Sequence, residues 1–279
     1  LYMKKNSGYI VSVSLIVALG GFFMGFDASV ISGVVEFIEP KFGLTKLQLG
    51  WAVSCLTLTA TLGMMISGPL SDKYGRKKIL MVAALLFLVS AITSALANEF
   101  WFFIIARMLG GFGVGAALIV APMHIAEISP SKLRGKMVSF NQLNIVLGIS
   151  AAFFSNYLIL KLGNSGADWA KSLKLDEENW RWMLGIESLP AFLYFIFLFT
   201  IPESPRWLVI NGSEEKAVEI LTKATGKEAA LADIEAIKES AKTGSKKEKV
   251  PLSELFKPAM KLVLLIGCLL YTSDAADDL

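Results

Sequence analysis

Long uncharged stretches, each about as long as a membrane-spanning helix, recur along the chain. They are residues 6–26 (continuing beyond Asp27 to 35), 47–71, 79–98, 101–126 around Arg107, 137–160 and 182–202 around Glu187. Because a helix of about 20 apolar residues crosses the hydrocarbon layer of a membrane, this pattern predicts six complete spans. A seventh run begins after Lys261. None of the runs alternates strictly, as the strands of a membrane β-barrel would.

Composition supports this interpretation and excludes several other classes. The chain has 279 residues, of which 54% are hydrophobic and 18% charged, whereas soluble domains average about 25% charged residues. A net charge of +3 without a basic arm argues against a nucleic-acid partner, and a single histidine excludes a histidine-cluster metal site. Cys55 and Cys268 lie in apolar runs and form no C-x-x-C motif or disulfide framework. No cofactor is expected. The class indicated is an all-α, multi-pass integral membrane protein in contact with lipid.

The lysines and arginines between the runs predict the orientation. If the N-terminus is cytoplasmic, the inner segments carry nineteen of these residues and the outer segments six. Basic loops stay on the cytoplasmic side. The first run is too long for the apolar part of a signal peptide. A protein of the plasma (inner) membrane with a cytoplasmic N-terminus is therefore expected.

The runs also divide the chain into domains. Residues 1–201 form the predicted six-span bundle, 202–257 a cytoplasmic helical linker, 258–270 the start of a seventh span, and 271–279 a tail. Within the linker, Ser213 before two acidic residues predicts a helix N-cap, and Gly226 predicts the end of that helix. A second amphipathic helix is expected over 229–241, with Leu231, Ile234 and Ile237 on one face. The linker is either a solvated connector or a docking element.

Three ionisable residues lie inside the predicted spans. Under the predicted topology Asp27, Arg107 and Glu187 all fall about 9–12 Å below the outer surface, at 1.5 Å per residue. Two carboxylates around one guanidinium can form charge-assisted hydrogen bonds. This cluster is either a structural ion pair or part of a proton or substrate pathway, because ionisable groups inside a membrane usually mark function.

Neutral polar residues and glycines leave further alternatives open. Gln142 and Asn144 could join helices or bind a polyol, since an amide both donates and accepts hydrogen bonds. His124 is expected to cap the inner end of the fourth span. The segment 19–25 (LGGFFMG) is echoed at 109–115 (LGGFGVG). That echo indicates either close helix packing or two three-span repeats.

Five motifs carry a resemblance to a known family. They are GFDASVISG at 25–33, GPLSDKYGRKK at 68–78, RMLGG at 107–111, PMHIAEISPSKLRG at 122–135 and PESPRWL at 202–208. Because these five motifs occur in this order, the chain resembles the sugar porter family of the major facilitator superfamily. Lys73 stands where the family usually has arginine, and His124 stands where it usually has tyrosine.

The resemblance implies a fold and a role for individual residues. It implies the N-terminal six-helix bundle of the major facilitator fold, followed by cytoplasmic helices and the start of a seventh span. Asp27 would be the proton-coupling acid, with Arg107 and Glu187 beside it. Gln142 would contact sugar, while Met24 and Ile149 replace a phenylalanine and a glutamine of some members. A cytoplasmic gating network would join Asp72, Arg76, Glu127, Arg134, Glu203 and Arg206.

The function implied is secondary active transport rather than enzymatic catalysis. The resemblance implies proton-coupled symport of a monosaccharide, a hexose or a pentose, by alternating access. A passive sugar facilitator and a non-transporting membrane sugar sensor are the alternatives. Members of the family have about twelve spans, and the tail 271–279 has no likeness to their seventh helix. The chain is therefore expected to be an N-terminal half whose partner, the C-terminal half of the same transporter, is missing.

Overall fold

A computed structural model of the protein describes residues 2–130 and 133–245, and these form helices without a strand. The chain divides into two compact units, Leu1–Ile234 and Glu235–Leu279. The helices are α1 (Tyr2–Phe42), α2 (Lys46–Tyr74), α3 (Arg76–Ala95), α4 (Phe100–Ile128), α5 (Arg134–Gly163), α6 (Asp168–Ser172), α7 (Asn179–Gly185), α8 (Ser188–Thr200), α9 (Pro205–Ile210), α10 (Glu214–Thr225) and α11 (Lys227–Ser245).

Six helical segments are long and apolar enough to cross a membrane, as the uncharged runs predict. They are Gly8–Phe42, Lys46–Tyr74, Arg76–Ala95, Phe100–Ile128, Arg134–Gly163 and Asn179–Thr200, the last formed by α7 and α8. The all-α membrane fold is thus confirmed. The predicted end of the linker (246–257), the start of a seventh span (258–270) and the tail (271–279) lie outside the described residues.

Local sequence explains where several helices begin and break. Thr45 and Gln48 form a reciprocal capping box at the start of α2, because each side chain bonds the other residue's backbone N–H. Gly75 joins α2 to α3 at φ +99°, a conformation that glycine adopts without strain. The sixth span breaks between α7 and α8 because Pro190 has no N–H to offer the carbonyl of Ile186, four residues earlier.

Helices α1 and α4 form the centre of the bundle. The most apolar windows of these two spans are 56% and 67% buried, against 28–39% for the other four. Helix α1 packs chiefly on α5, and α4 packs on α2 and α3. The charged residues of the spans lie on or next to these central helices, which removes them from the lipid-facing side.

Glycines allow α1 and α5 to approach until their backbones touch. A Cβ atom added to Gly25 would collide with the carbonyl oxygen of Ile145. In the reverse direction, a Cβ on Gly148 would collide with the carbonyl oxygen of Phe22. The contact is therefore reciprocal: each helix supplies a glycine opposite a carbonyl of the other.

Helices α4 and α2 repeat this contact with the second glycine segment. A Cβ on Gly115 would collide with the carbonyl oxygen of Ala60, and one on Gly63 would lie 2.8 Å from the carbonyl oxygen of Phe112. The spacing between glycine and carbonyl is three residues in each helix, as in α1 and α5. The echo between 19–25 and 109–115 thus corresponds to two equivalent close contacts, α1 on α5 and α4 on α2, which is the close helix packing that small residues allow.

The helices after the sixth span agree with the sequence only in part: α10 lies between Ser213 and Gly226 as predicted, whereas α11 runs over Lys227–Ser245 rather than 229–241, and α9 was not predicted. Ser204 caps α9 by accepting a hydrogen bond from the N–H of Trp207. Ser213 occupies the N-cap position of α10, although its side chain makes no capping bond, and Gly226 ends α10 at φ +90°. The predicted face of α11 was partly wrong. Ile234 is buried, but Leu231 is 48% exposed. The buried face of α11 passes through Ala230, four residues before Ile234, and Leu231 lies to one side of that face.

Candidate functional site

A buried ion pair joins α1 to α4 within the bundle. Nη1 of Arg107 donates to Oδ1 of Asp27 at 2.6 Å, and Nη2 donates to the backbone oxygen of Asp27 at 3.2 Å. The side chains are 2% and 5% exposed. Removing two charges from water costs several kcal/mol per ion unless pairing compensates. The predicted partnership between Asp27 and Arg107 is therefore present, with two hydrogen bonds.

Glu187 lies beside this pair without joining it. Its side chain is 4% exposed, its Oε1 has no hydrogen-bond partner, and no ion pair links it to Arg107. It is nevertheless close enough for electrostatic interaction with both Asp27 and Arg107. The expectation of two carboxylates around one guanidinium is met by only one carboxylate. Nε of Arg107 also lacks a partner.

The position of Glu187 follows from the break in the sixth span. Glu187 forms the N-cap of α8, immediately after the turn that Pro190 imposes. Its backbone oxygen accepts from the N–H of Ala191 at 3.1 Å. The carboxyl group thus projects from the joint between two short helices.

The three residues expected to contact sugar lie along α1 and α5. Gln142 is exposed, whereas Met24 and Ile149 are partly buried. Gln142 and Ile149 are seven residues apart and hence on one side of α5. Beside Met24, Gly25 approaches the backbone of α5 so closely that a Cβ there would lie 3.0 Å from the N atom of Ile149. Gln142 is thus an amide that the six-helix bundle leaves accessible.

Two asparagines that the sequence reasoning did not select, Asn141 and Asn156, lie between α5 and α1. Nδ2 of Asn156 donates to the backbone oxygen of Val30 at 3.1 Å. Asn141 is buried where a Cβ on Gly21 would lie 2.8 Å from its Oδ1. Asn144, which was expected to join helices or bind a polyol, is buried and donates to the backbone oxygen of Phe140 within α5 at 2.8 Å; no hydrogen bond links it to a second helix in the described residues. Each buried asparagine opposite a glycine was a signal of helix contact that the linear sequence contained.

A second polar network closes one end of the bundle. We call this the basic end: it is where α3 begins at Arg76. Arg76 binds both oxygens of Glu127, with Nε–Oε2 at 2.9 Å and Nη2–Oε1 at 3.0 Å, and also pairs with Asp72 at 2.8 Å. Oγ of Ser204 donates to Glu127 at 2.5 Å. These contacts connect α2, α3, α4 and α9.

Glu203 belongs to the same network through backbone groups. Its Oε1 accepts from the N–H groups of Arg76 and Lys77 at 2.9 and 3.1 Å, which caps the start of α3. Nζ of Lys77 donates to the carbonyl oxygens of Phe199 and Ile201 at 2.8 and 2.7 Å, around the end of α8. The turn after the sixth span is thereby attached to α3.

Three other sequence-predicted residues lie differently from expectation. Arg134 and Arg206 are exposed and pair with no carboxylate among the residues that the structure describes. His124 does not cap its helix. It is completely buried, neither ring nitrogen has a hydrogen-bond partner, and Ser129 is the C-cap of α4. A residue four positions inside the helix end points into the bundle rather than at the free carbonyls.

The opposite end, where α1 finishes at Phe42, contains a network that the sequence reasoning missed. Glu178 accepts from Lys41 at 3.1 Å and from Arg181 at 2.6 Å, and Arg181 also donates to the backbone oxygen of Ala95 at 2.7 Å. Partial burial raises the pKa of Glu178, but the hydrogen bonds and charges of Arg181 and Lys41 outweigh it and lower the pKa below its ordinary value. This network connects α1, α3 and α7.

Within residues 2–130 and 133–245, no group of three or more histidine, cysteine, aspartate or glutamate side chains could hold a metal ion. Comparison with known proteins gives the family. The family described as "Sugar (and other) transporter" matches residues 13–274. The chain belongs to this sugar transporter family.

Relatives support the assignment over nearly the whole chain. The chain is 38% identical over 267 residues to the "Arabinose-proton symporter" of Bacillus subtilis, which covers 96% of this chain and 55% of the relative. It is 36% identical over 269 residues to the "D-xylose-proton symporter" of Escherichia coli, covering 87% and 53%. The chain thus spans about half the length of the relatives it matches, and this family is one of transporters rather than enzymes.

Solved structures of related proteins show the same fold over a similar share of this chain. The "proton:xylose symporter XylE bound to 6-bromo-6-deoxy-D-glucose" matches with a TM-score of 0.80 at 36% identity, over 87% of this chain and 55% of that one. The partially occluded inward-open form of XylE from E. coli matches with a TM-score of 0.77. The resemblance drawn from the motifs is confirmed. The chain is a multi-pass membrane protein with the N-terminal bundle of the major facilitator fold.

Proposed function

We propose that this chain is the first six-helix bundle of a proton-coupled monosaccharide symporter that works by alternating access. The observation that carries the proposal is the buried pair of Asp27 and Arg107, held between the two central helices. An ionised pair at this depth is costly to build and marks ion pathways in membranes. Asp27 is the residue that we expect to take up and release the proton, with Arg107 as its partner and Glu187 as a nearby third group.

The sugar would bind at the side of the bundle formed by α1 and α5. Gln142 is left exposed by the bundle, next to the partly buried Met24 and Ile149. In transporters with repeated bundles, substrates bind between the two bundles near the middle of the membrane. An amide accessible on one bundle supports a site shared with a second bundle. The matched relatives are about twice as long as this chain and are described as arabinose and xylose symporters.

The basic end would face the cytoplasm of the plasma (inner) membrane. The excess of lysine and arginine in the segments at this end supports that orientation. The ion pairs of Arg76 with Asp72 and Glu127, together with Glu203, would then close the inner side when the transporter faces outward. Residues 202–257 would lie in the cytoplasm as a helical linker.

A passive facilitator is the second candidate function, and a sugar sensor the third. Neither requires a titratable acid at position 27, because neither moves a proton with the sugar. The buried carboxylate therefore favours the symporter. A sensor would bind sugar without moving it across the membrane.

The deciding experiment uses the full-length protein that carries this bundle, reconstituted in vesicles. Asp27→Asn should abolish sugar accumulation driven by a pH gradient, because an amide does not carry the proton, while counterflow without a gradient continues. Asp168→Asn, at an exposed aspartate of α6, is the matched control and should leave both activities unchanged. Undiminished accumulation in Asp27→Asn would refute proton coupling through this residue. Sugar binding without counterflow in the unmodified protein would identify a sensor.

A further inference from the structure

Only one carboxylate oxygen of Asp27 is engaged by Arg107. Nη1 of Arg107 binds Oδ1, and Nη2 binds the backbone oxygen, so Oδ2 receives no hydrogen bond from the described residues. Oδ2 lies beside Gly110 of α4. A Cβ placed on Gly110 would lie 3.0 Å from Oδ2 of Asp27 and 2.5 Å from Oγ of Ser90. The free oxygen and the Ser90 hydroxyl therefore both pack closely against the same glycine.

Ser90 is followed one helical turn later by a second buried hydroxyl. Ser90 and Ser94 are four residues apart on α3 and therefore lie on the same face. They are 4% and 2% exposed, and Oγ of Ser94 has no hydrogen-bond partner. An unsatisfied buried hydroxyl costs free energy, so its presence calls for a reason. The two hydroxyls form a line along α3 that leads away from Asp27.

This line points to the opposite end of the bundle. Ser94 lies in the last turn of α3, and the backbone oxygen of the next residue, Ala95, is bound by Arg181 at 2.7 Å. The side chain of Arg181 is 20% exposed. Ser94 is thus the buried hydroxyl adjoining the polar surface at that end.

The echo-related glycine contact of α1 shows a similar geometry without the acid. There, a Cβ on Gly20 would lie 3.0 Å from Oη of Tyr194 and 3.2 Å from Cβ of Ala117. Gly20, Tyr194 and Ala117 correspond to Gly110, Ser90 and Asp27 in the contact of α4. A phenol hydroxyl packs against the glycine where no acid is present, whereas beside Asp27 the small hydroxyl of Ser90 packs against Gly110 even more closely, at 2.5 Å from the added Cβ against 3.0 Å.

We propose that Ser94 and Ser90 relay protons between the opposite end of the bundle and Oδ2 of Asp27. This inference rests on the proposed proton-coupled function. A hydronium ion at the outer side gives a proton to the oxygen of Ser94, whose own proton passes to Ser90. The O–H proton of Ser90 passes to Oδ2 and converts the carboxylate to the carboxylic acid. Each serine gains one proton and loses one, and a water molecule can bridge any gap between them.

The other groups around Asp27 fit this route less well. Arg107 is a permanent cation that occupies Oδ1, and Cys55 on α2 is buried with its thiol directed to the backbone oxygen of Ala52 at 3.6 Å. Glu187 projects from the joint of α7 and α8 with its Oε1 unbound. Among these side chains, only Ser90 packs against Gly110 next to Oδ2 of Asp27.

The test compares serine variants in the full-length protein in vesicles. The readout is the ratio of the initial rate of pH-driven sugar uptake to the rate of counterflow, since a packing defect would change both rates alike. Ser90→Ala and Ser94→Ala should each lower this ratio about tenfold. That is less than the 10²–10⁴-fold contribution of a direct proton donor, because water can partly replace a hydroxyl. Ser90→Thr, which keeps the hydroxyl, should restore most of the ratio.

Ser14→Ala is the matched control, because Ser14 is another buried serine with an unpartnered Oγ, thirteen residues before Asp27 on α1. It should leave the ratio unchanged. Ratios for Ser90→Ala and Ser94→Ala equal to that of Ser14→Ala would overturn the relay. If Asp27→Asn still accumulates sugar, the proposed function fails. If Asp27→Asn loses accumulation while the serine variants keep it, only the relay fails.

A second measurement requires no transport activity. In the purified protein in lipid nanodiscs, the infrared carboxyl band that Asp27→Asn removes reports protonation of Asp27 after a pH jump. Ser90→Ala should slow the appearance of this band about tenfold and Ser14→Ala should not. Ser90→Cys, which preserves the volume but is a weak hydrogen-bond donor, gives the same comparison if Ser90→Ala lowers the yield of folded protein. An unchanged rate in the serine variants would contradict the relay.

Discussion

Arg76 and Glu127 share two parallel hydrogen bonds, at 2.9 and 3.0 Å, although 51 residues separate them in sequence. The two side chains are only 6% and 12% exposed. A guanidinium and a carboxylate in this bidentate arrangement hold α3 and α4 together at the basic end. Because both charges are largely removed from water, each depends on the other.

Replacing Arg76 should therefore destabilise the protein strongly. Arg76→Ala leaves Glu127 and Asp72 without their cation, and breaking a largely buried pair in this way costs about 3 kcal/mol. The midpoint of thermal unfolding of the purified protein in detergent should fall by several degrees. Arg134→Ala and Arg206→Ala provide the comparison, since both side chains are exposed. They should change stability by no more than about 0.5 kcal/mol. An equal loss of stability in all three variants would show that the exposed arginines also belong to the network.

Glycine substitutions should distinguish tight helix contacts from open positions. Gly25→Ala and Gly115→Ala place a Cβ against a backbone carbonyl of the neighbouring helix, so each should cost about 3 kcal/mol or prevent folding. Gly50→Ala and Gly68→Ala, both in α2 with nothing within 4 Å, should be neutral or stabilise by up to about 1 kcal/mol. Size-exclusion profiles and unfolding midpoints measure the difference. Similar behaviour of the two sets would refute the reciprocal glycine contacts.

The network at the opposite end should give a pH-dependent contribution to stability. The folded-state pKa of Glu178 is lowered, chiefly because the hydrogen bonds from Arg181 and Lys41 outweigh the effect of burial. Its stabilising contribution is therefore present above the ordinary pKa of about 4.5 and is lost as the pH falls through the lower folded value. Solvent screening limits it to below about 1 kcal/mol.

Glu178→Gln should accordingly lower the unfolding midpoint at pH 6 and reduce its decline between pH 5 and pH 3. Glu177→Gln, at the exposed neighbouring glutamate, is the control and should retain the wild-type pH profile. An identical profile for Glu178→Gln and wild type would mean that the ion pairs with Lys41 and Arg181 contribute nothing.

Cysteine labelling can test the proposed orientation directly. Lys78 and Lys171 are exposed at the basic and the opposite end, respectively. In a protein lacking Cys55 and Cys268, an impermeant thiol reagent added to intact cells should label Lys171→Cys and should label Lys78→Cys only after the membrane is permeabilised. The reverse pattern would invert the topology.

Hydrophobic periodicity and the cost of buried charge predicted the larger features. Uncharged runs located all six spans, because the length of a span is set by membrane thickness. Asp27 and Arg107 were matched because two charges at the same depth must pair to remain buried. Their sequence separation of 80 residues was no obstacle, since depth could be counted from the helix ends.

Details that depend on side-chain direction could not be read from the sequence. Glu203 caps α3 by binding backbone N–H groups more than 120 residues away, and no pattern of side chains predicts a bond to the main chain. Arg134 and Arg206 match the motifs as well as Arg76 does, yet they point outward. Glu187 was expected to bind Arg107, but the break imposed by Pro190 positions its carboxyl group at a joint.

The unequal contents of the two similarly packed helix contacts have an electrical consequence. Asp27 on α1 pairs with Arg107 on α4, whereas the positions that the glycine echo relates to Asp27 and Ser90 hold Ala117 and Tyr194 and no ion pair. Arg107 lies seven residues after the start of α4 at the opposite end of the bundle, so the ion pair is nearer to that end than to the basic end. Moving one charge through 100 mV is worth about 2.3 kcal/mol. If the basic end faces the cytoplasm, as we propose, a proton from the outside would do the smaller part of this electrical work on reaching Asp27 and the larger part on its release inward.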